Sequence, residues 1–121
     1  MFKVLAFVLL LFYATSANAI TKLLMYHSKY CSHCIAFVKE VAIDYHYDLP
    51  DKFMEDTLEL VIIERNEEPF WFAMAYNENR IKPIRGTPTF IIWNGRKELA
   101  RLVGYSNKES FYNRLDTIFQ K

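Results

Sequence analysis

The apolar residues of this chain form continuous runs in some segments and helically spaced stripes in others. Continuous runs at 22–27, 58–63 and 89–93 are typical of strands buried on both faces of a sheet. Residues 31–45 have helical spacing instead, and the stripe predicted to face the core is Ile35, Val38, Ala42 and Tyr45.

Proline and acidic residues mark the next helix, since both favour a helix start. Pro69 follows Asn66-Glu67-Glu68, so the helix is predicted from there to about residue 78. The segments at 47–56 and 81–87 are interpreted as connections.

The last third of the chain predicts a hairpin followed by a helix. Asn94-Gly95 indicates a two-residue type I′ turn that leads into a strand at 97–103. Ser106-x-x-Glu109 has the spacing of a capping box, and the helix it opens carries an apolar stripe of Phe111, Leu115, Ile118 and Phe119.

The predicted order is therefore β-α-β-α-β-β-α. A strand–helix–strand opening implies a parallel pair with a right-handed crossover, and the hairpin adds an antiparallel pair. We expect an α/β fold with one four-stranded mixed sheet and helices on both faces.

The first nineteen residues have the pattern of a secretory signal rather than of the domain. Lys3 precedes an apolar run at 4–14, which is short of the roughly 20 residues that a membrane span needs. Ala17-Asn18-Ala19 then offers a small-x-small cleavage site. We predict a signal peptide at 1–19 and one domain at 20–121; membrane contact is expected only if the signal stays uncleaved.

The charge balance bears on the possible partners. The chain has 15 Lys and Arg against 14 Asp and Glu, and removing Lys3 with the signal makes the two signs equal. A neutral domain without a basic run gives no reason to expect nucleic acid as a partner.

Two cysteines, Cys31 and Cys34, are the only ones in the chain. Stability is a poor explanation for them, because a bridge across so short a loop constrains the unfolded chain little. They lie where the first strand passes into the first helix, whose free N–H groups stabilise a thiolate. We predict a redox dithiol with Cys31 as the nucleophile and Cys34 as the resolving thiol.

Three separated motifs resemble those of the thioredoxin superfamily over nearly the whole predicted domain. Tyr30-Cys31-Ser32-His33-Cys34 follows the first strand, Gly86-Thr87-Pro88-Thr89-Phe90 resembles the family's cis-proline loop, and Val103-Gly104-Tyr105 follows the hairpin at the family's spacing. Gly104-Tyr105 and residues 109–112 look most similar to small exported thioredoxin-like proteins of sulfur-oxidation systems. Because the family's additional N-terminal strand and helix are not visible, the fold is expected to be a minimal version.

The resemblance implies roles that spacing alone does not assign. Pro88 would be cis, and Thr87 would pair through its backbone with an extended substrate segment. Tyr30 and Gly86 are expected beside that substrate, and Ser32 and His33 are expected to tune the pKa of the thiols. Cys31 and Cys34 would need no organic cofactor or metal beyond their own disulfide.

The chain also departs from the thioredoxins, and its clues to direction conflict. Met25 replaces the buried aspartate that helps to move the resolving thiol's proton; Glu59 or Glu64 is a less favoured substitute. His33 resembles the motif of exported oxidases, whereas Thr87 before the proline resembles exported isomerases and reductases. We prefer the reductase direction.

Two other functions are compatible with the sequence. Cys31 and Cys34 with His27 or His33 could bind copper or zinc, although a structural zinc site needs four ligands. Alternatively, a redox-inert domain could bind a partner through large aromatics (Phe70, Trp71, Phe72, Tyr76 and Trp93). The preferred function is disulfide exchange with protein thiols by a monomer in the bacterial periplasm, reset by a redox-recycling partner.

Overall fold

The computed structural model describes residues 21–49 and 58–120. In chain order the elements are β1 (Lys22–His27), α1 (Ser32–Glu40), a 3-10 turn (Ala42–Asp44), α2 (Tyr45–Asp48), β2 (Glu59–Glu64), α3 (Phe70–Asn77), β3 (Thr89–Trp93), β4 (Glu98–Val103) and α4 (Lys108–Phe119). The signal peptide predicted at 1–19 and most of the connection predicted at 47–56 lie outside the described residues.

The four strands form one mixed sheet in the order β2-β1-β3-β4. β1 and β2 run parallel, with Leu24 opposite Val61, while β3 runs antiparallel to both β1 and β4. The predicted sheet is thereby confirmed, with its parallel opening pair and its terminal hairpin. β1 matches its predicted limits, and so does β3.

Successive side chains of β1 and β3 point to opposite faces of the sheet, so the core is divided between those two faces. On one face Met25 and Phe90 pack with α1 and α4. On the other face Leu24 and Ile91 pack with α3 through Phe72. Because helices cover both faces, all five residues of β3 are buried, which explains its uninterrupted apolar sequence.

The helix predicted over 31–45 is shorter than expected and buries a different row of residues. It ends at Glu40; Val41, with φ −119°, is its C-cap, and a 3-10 turn follows over Ala42–Asp44. The buried residues are Cys34, Phe37, Val41 and Tyr45, whereas Ile35 is 45% exposed. The predicted stripe was therefore right at Tyr45 and at Ala42, which is half-buried against the core, and wrong at Ile35. Two adjacent rows have the same spacing, and the row that contains Phe37 is the one that packs inward.

Phe37 makes the main aromatic contacts of the buried face of α1. Its ring lies 4.7 Å from that of Phe90, 5.3 Å from that of Tyr105 and 5.0 Å from that of Phe111, measured between centroids. These contacts join α1, β3 and α4, so they fix the start of α1 relative to the sheet.

Two local details in the last third of the chain also differ from prediction. The hairpin connection spans 94–97, because the Asn94 side chain accepts hydrogen bonds from the N–H groups of Arg96 and Lys97. Only Gly95 of the predicted turn pair has a positive φ, +92°, so the turn is not type I′. The cap of α4 is Asn107, whose Oδ1 accepts from the Ser110 N–H at 2.8 Å; the predicted capping box at Ser106 is wrong.

Candidate active site

Cys31 lies at the junction between β1 and α1 and is the N-cap of that helix. Its backbone is extended (φ −89°, ψ 114°) and its N–H donates to the Ser28 carbonyl at 3.0 Å. The Cys34 N–H in turn donates to Cys31 Sγ at 3.2 Å. A helix N-terminus favours negative charge, and here a main-chain donor points at the sulfur atom that would carry it.

The two thiols occupy different environments. Cys31 is half-buried, whereas Cys34 is fully buried between α1 and the sheet. Burial raises the pKa of Cys31, but hydrogen bonds with Cys34 and Thr87 and from the backbone N–H groups of the helix start outweigh it and lower that pKa. For Cys34, burial and the hydrogen bond with Cys31 raise the pKa from 9.0 to about 11.

The loop before β3 brings Thr87 to the cysteines. The Cys31 thiol donates to the Thr87 carbonyl at 3.5 Å, and the Thr87–Pro88 peptide bond is cis. Thr89 Oγ1 donates to the Gly86 carbonyl at 2.7 Å, and the Gly104 N–H donates to the Pro88 carbonyl at 2.8 Å. The loop is thus bonded to the start of α1 on one side and to the residue after β4 on the other.

The remaining predicted site residues surround the cysteines to different degrees. Tyr30 is 87% exposed just before Cys31, and its ring faces Lys29, whose Nζ is 5.7 Å from the centroid. Ser32 and His33 are exposed on the first turn of α1. The backbone of His33 contributes to lowering the pKa of Cys31; tuning by its imidazole stays a prediction.

The position of the missing aspartate is filled by an apolar side chain. Met25 is fully buried and belongs to the same cluster as Cys34. Glu59 is exposed and Glu64 is half-buried at the end of β2. Neither carboxylate is among the groups that shift the pKa of Cys34.

Among residues 21–49 and 58–120, no three His, Cys, Asp or Glu side chains lie close enough together to hold a metal ion. Within the same described ranges, none of the helices combines the length and the apolar character needed to cross a membrane.

Sequence reasoning missed a cleft of about 400 Å³ that begins at Thr87. We call it the Thr87 cleft; its lining comes from β1, the β2–α3 connection, α3 and the loop before Pro88, and includes Tyr26, Arg65, Glu68, Phe72, Tyr76 and Arg85. The only sequence signal was the position of Arg85 two residues before Thr87, because the other parts of the wall are distant along the chain.

Comparisons with known proteins agree with this fold and site. A sequence model described as a thioredoxin-like domain matches residues 12–119. The periplasmic thioredoxin SoxS of Paracoccus pantotrophus, in its reduced form, is similar in structure: its TM-score is 0.57 and its identity 25%, over 81% of this chain and 94% of that one.

Two other thioredoxin structures are similar in fold. A Malassezia sympodialis thioredoxin has a TM-score of 0.55 and 15% identity, over 84% of this chain and 73% of its own. Poplar thioredoxin h has a TM-score of 0.53 and 19% identity, with coverage of 86% and 80%. No curated protein sequence matches this chain significantly.

Proposed function

We propose, from the premise that this chain belongs to the thioredoxin-like family and is a thiol–disulfide oxidoreductase, that Cys31 is its nucleophile and Cys34 its resolving thiol. The observation that carries the proposal is the asymmetry of the pair. Cys31 is half-buried with a lowered pKa, whereas Cys34 is fully buried with a pKa of about 11. Because the thiolate is the attacking species, Cys31 is the thiol equipped to attack first.

In the proposed reaction the Cys31 thiolate attacks one sulfur of a substrate disulfide. That S–S bond breaks, the leaving substrate thiolate takes up a proton, and a mixed disulfide with Cys31 forms. Cys34 then loses its proton and attacks Cys31 Sγ, which releases the second substrate thiol. The substrate gains two electrons, the protein is left with a Cys31–Cys34 disulfide, and a reducing partner restores the dithiol.

The Thr87–Pro88 loop is proposed to position the substrate. The Thr87 carbonyl is 3.5 Å from Cys31 Sγ, so a peptide bonded to that sulfur passes alongside the main chain of Thr87. Exposed Tyr30 and Gly86 flank the same opening. We assign these residues to substrate contact, with protein thiols and disulfides as the substrate class.

The reductase direction is supported by the exposure of His33. An imidazolium held against Cys31 stabilises the thiolate and makes the disulfide more oxidising, but an exposed ring is screened by water. The measurement that decides direction is equilibration against glutathione buffers, read as the oxidised fraction. A potential near that of thioredoxin supports a reductase, and one as oxidising as that of DsbA contradicts it.

Insulin reduction with a dithiol as electron donor tests the cysteine roles. Cys31→Ser is expected to abolish turnover, and Cys34→Ser is expected to stop turnover while trapping mixed disulfides through Cys31. Retention of insulin reduction by Cys31→Ser contradicts the proposal, as does trapping of substrate by Cys34 alone.

Export to the bacterial periplasm, with cleavage before Ile20, is proposed from the sequence pattern at 1–19. The similarity to a periplasmic thioredoxin supports it. Expression of the full chain in a bacterium, followed by fractionation and N-terminal sequencing, should give a monomer that begins at Ile20. An intact Met1 in the cytoplasmic fraction contradicts both export and cleavage.

A further inference from the structure

The Thr87 cleft begins at the residue that contacts the nucleophilic sulfur. Thr87 lines the cleft, and its carbonyl accepts from Cys31 Sγ at 3.5 Å. An extended chain advances by about 3.3 Å per residue, so a residue within about three positions of a cysteine bonded to Cys31 reaches the cleft. The cleft is therefore placed to contact the sequence around a substrate cysteine.

The inner wall of the cleft is aromatic and firmly packed. The rings of Tyr26 and Phe72 stack with their centroids 5.6 Å apart and their planes 6° from parallel. Tyr26 OH donates to Glu68 Oε1 at 2.8 Å, which fixes the wall to the β2–α3 connection. A wall of this kind suits the aliphatic part of a side chain whose polar end reaches the rim.

The charges of the rim are unequally compensated. Glu68 also accepts from the Asn66 N–H at 3.1 Å. Burial raises the pKa of Glu68, but the bonds from Tyr26 and Asn66 and the positive charge of Arg65 lower it, so the carboxylate stays ionised and offsets Arg65. Arg85 forms no side-chain hydrogen bond or ion pair within the described part of the chain.

We infer that Arg85 makes the Thr87 cleft a specificity subsite for protein segments with an acidic residue within about three positions of the reactive cysteine. Arg85 is the charged lining residue closest in sequence to Thr87, whose carbonyl contacts Cys31 Sγ, and its own charge is uncompensated. Glu68, which lines the same cleft and is ionised, disfavours an acid placed beside it. The inference rests on the proposed function, since it takes Cys31 as the nucleophile.

Matched peptides test this subsite. Each contains one cysteine, activated as a thiopyridyl disulfide, and differs from its partner only by Glu or Gln at one of the three positions on either side. Cys31 attacks the peptide sulfur and releases thiopyridone, whose ultraviolet absorbance reports the rate of attack. Cys34 then closes the protein disulfide and releases the peptide thiol. The protein is reduced beforehand, and the rate constant for the Glu peptide is divided by that for the Gln peptide. A general loss of reactivity in a variant affects both rate constants equally and leaves this ratio unchanged.

At one or more positions the wild type should react about two- to fivefold faster with the Glu peptide, the range expected for a partly exposed ion pair. Arg85→Gln should bring that ratio to about one, whereas Arg85→Lys should keep most of it. Glu68→Gln should increase the ratio, and added salt should decrease it because the pair is exposed to screening.

Arg96→Gln is the matched control. Arg96 is an exposed arginine of the 94–97 hairpin connection, at the end of β3 opposite to Thr87. The same ratio is expected for this variant as for the wild type.

Two results overturn the inference: no Glu preference at any position, or a preference that survives Arg85→Gln. Each leaves the proposed function intact provided that wild type consumes the Gln peptides and Cys31→Ser does not. If Cys31→Ser consumes the peptides as wild type does, the proposed function fails as well.

Discussion

Selective alkylation of Cys31 is the most direct consequence of the unequal environments of the two thiols. The variant Cys34→Ser leaves only Cys31 to react with iodoacetamide, and Cys31→Ser leaves only Cys34. We expect the first variant to be alkylated at neutral pH and the second to be nearly inert.

The magnitude follows from thiolate fractions. At about pH 7 a thiol with the ordinary pKa of 9.0 is ~1% ionised, and one with a pKa of about 11 is ~0.01% ionised. Because the pKa of Cys31 lies below 9.0, its thiolate advantage over Cys34 exceeds ~100-fold. The more basic Cys34 thiolate is intrinsically more nucleophilic and recovers ~10-fold of this, so at least ~10-fold remains before the burial of Cys34 adds to it.

The pH profile tests the cause of the asymmetry. The rate for Cys31 should rise with pH through a midpoint below 9.0. Since the hydrogen bond with Cys34 is the largest effect that lowers this pKa, Cys34→Ala should move the midpoint upward, and Cys34→Ser should move it less because the hydroxyl can still donate. Equal alkylation rates for the two single-cysteine variants at neutral pH, or a Cys31 midpoint at or above 9.0 in the wild-type protein, would refute the reasoning.

Three further predictions concern the packing that holds the site, and chemical denaturation measures each of them. Phe37→Ala should lower the free energy of unfolding by about 3–5 kcal/mol, because it empties a site enclosed by three aromatic rings. Its control, Phe70→Ala, lies at an 80% exposed position and should change that free energy by less than about 0.5 kcal/mol. Similar losses for both variants would contradict the packing described. Asn107→Ala should cost about 1 kcal/mol of stability by removing the cap of α4. A larger loss for Ser106→Ala would show that Ser106, not Asn107, caps the helix. Tyr45→Phe should cost about 1 kcal/mol, because the hydroxyl donates to a buried carbonyl at 2.8 Å; no loss would show that the bond adds nothing.

The sequence predicted the sheet well because its strands are chemically simple. β1 and β3 are buried on both faces, so their apolar runs have sharp limits that pattern reading recovers. Cys31 and Cys34 were also identified at the right junction, since the strand and the helix around them could both be recognised.

Details that depend on side-chain competition were not predictable. Asn94 and Asn107 each satisfy local N–H groups through a side-chain oxygen. At Asn94 this gives a longer connection than the predicted Asn94-Gly95 turn, and Asn107 replaces the predicted cap at Ser106. The Phe37 face of α1, and not the Ile35 face, packs inward because Phe37 contacts aromatic rings of β3 and α4. The Thr87 cleft joins Tyr26, Arg65 and Arg85, which are brought together only by the completed sheet.

The methionine at position 25 has a consequence for the timing of the reaction. Burial, the largest cause of the raised pKa of Cys34, persists when Cys31 is joined to a substrate, and Met25 offers no carboxylate to take the proton. Release of the substrate should therefore be slower than its capture near neutral pH and should accelerate as pH rises. Acid quenching of the wild-type protein during turnover near neutral pH is expected to recover covalent complexes, so that unmodified enzyme retains its substrates long enough to identify them.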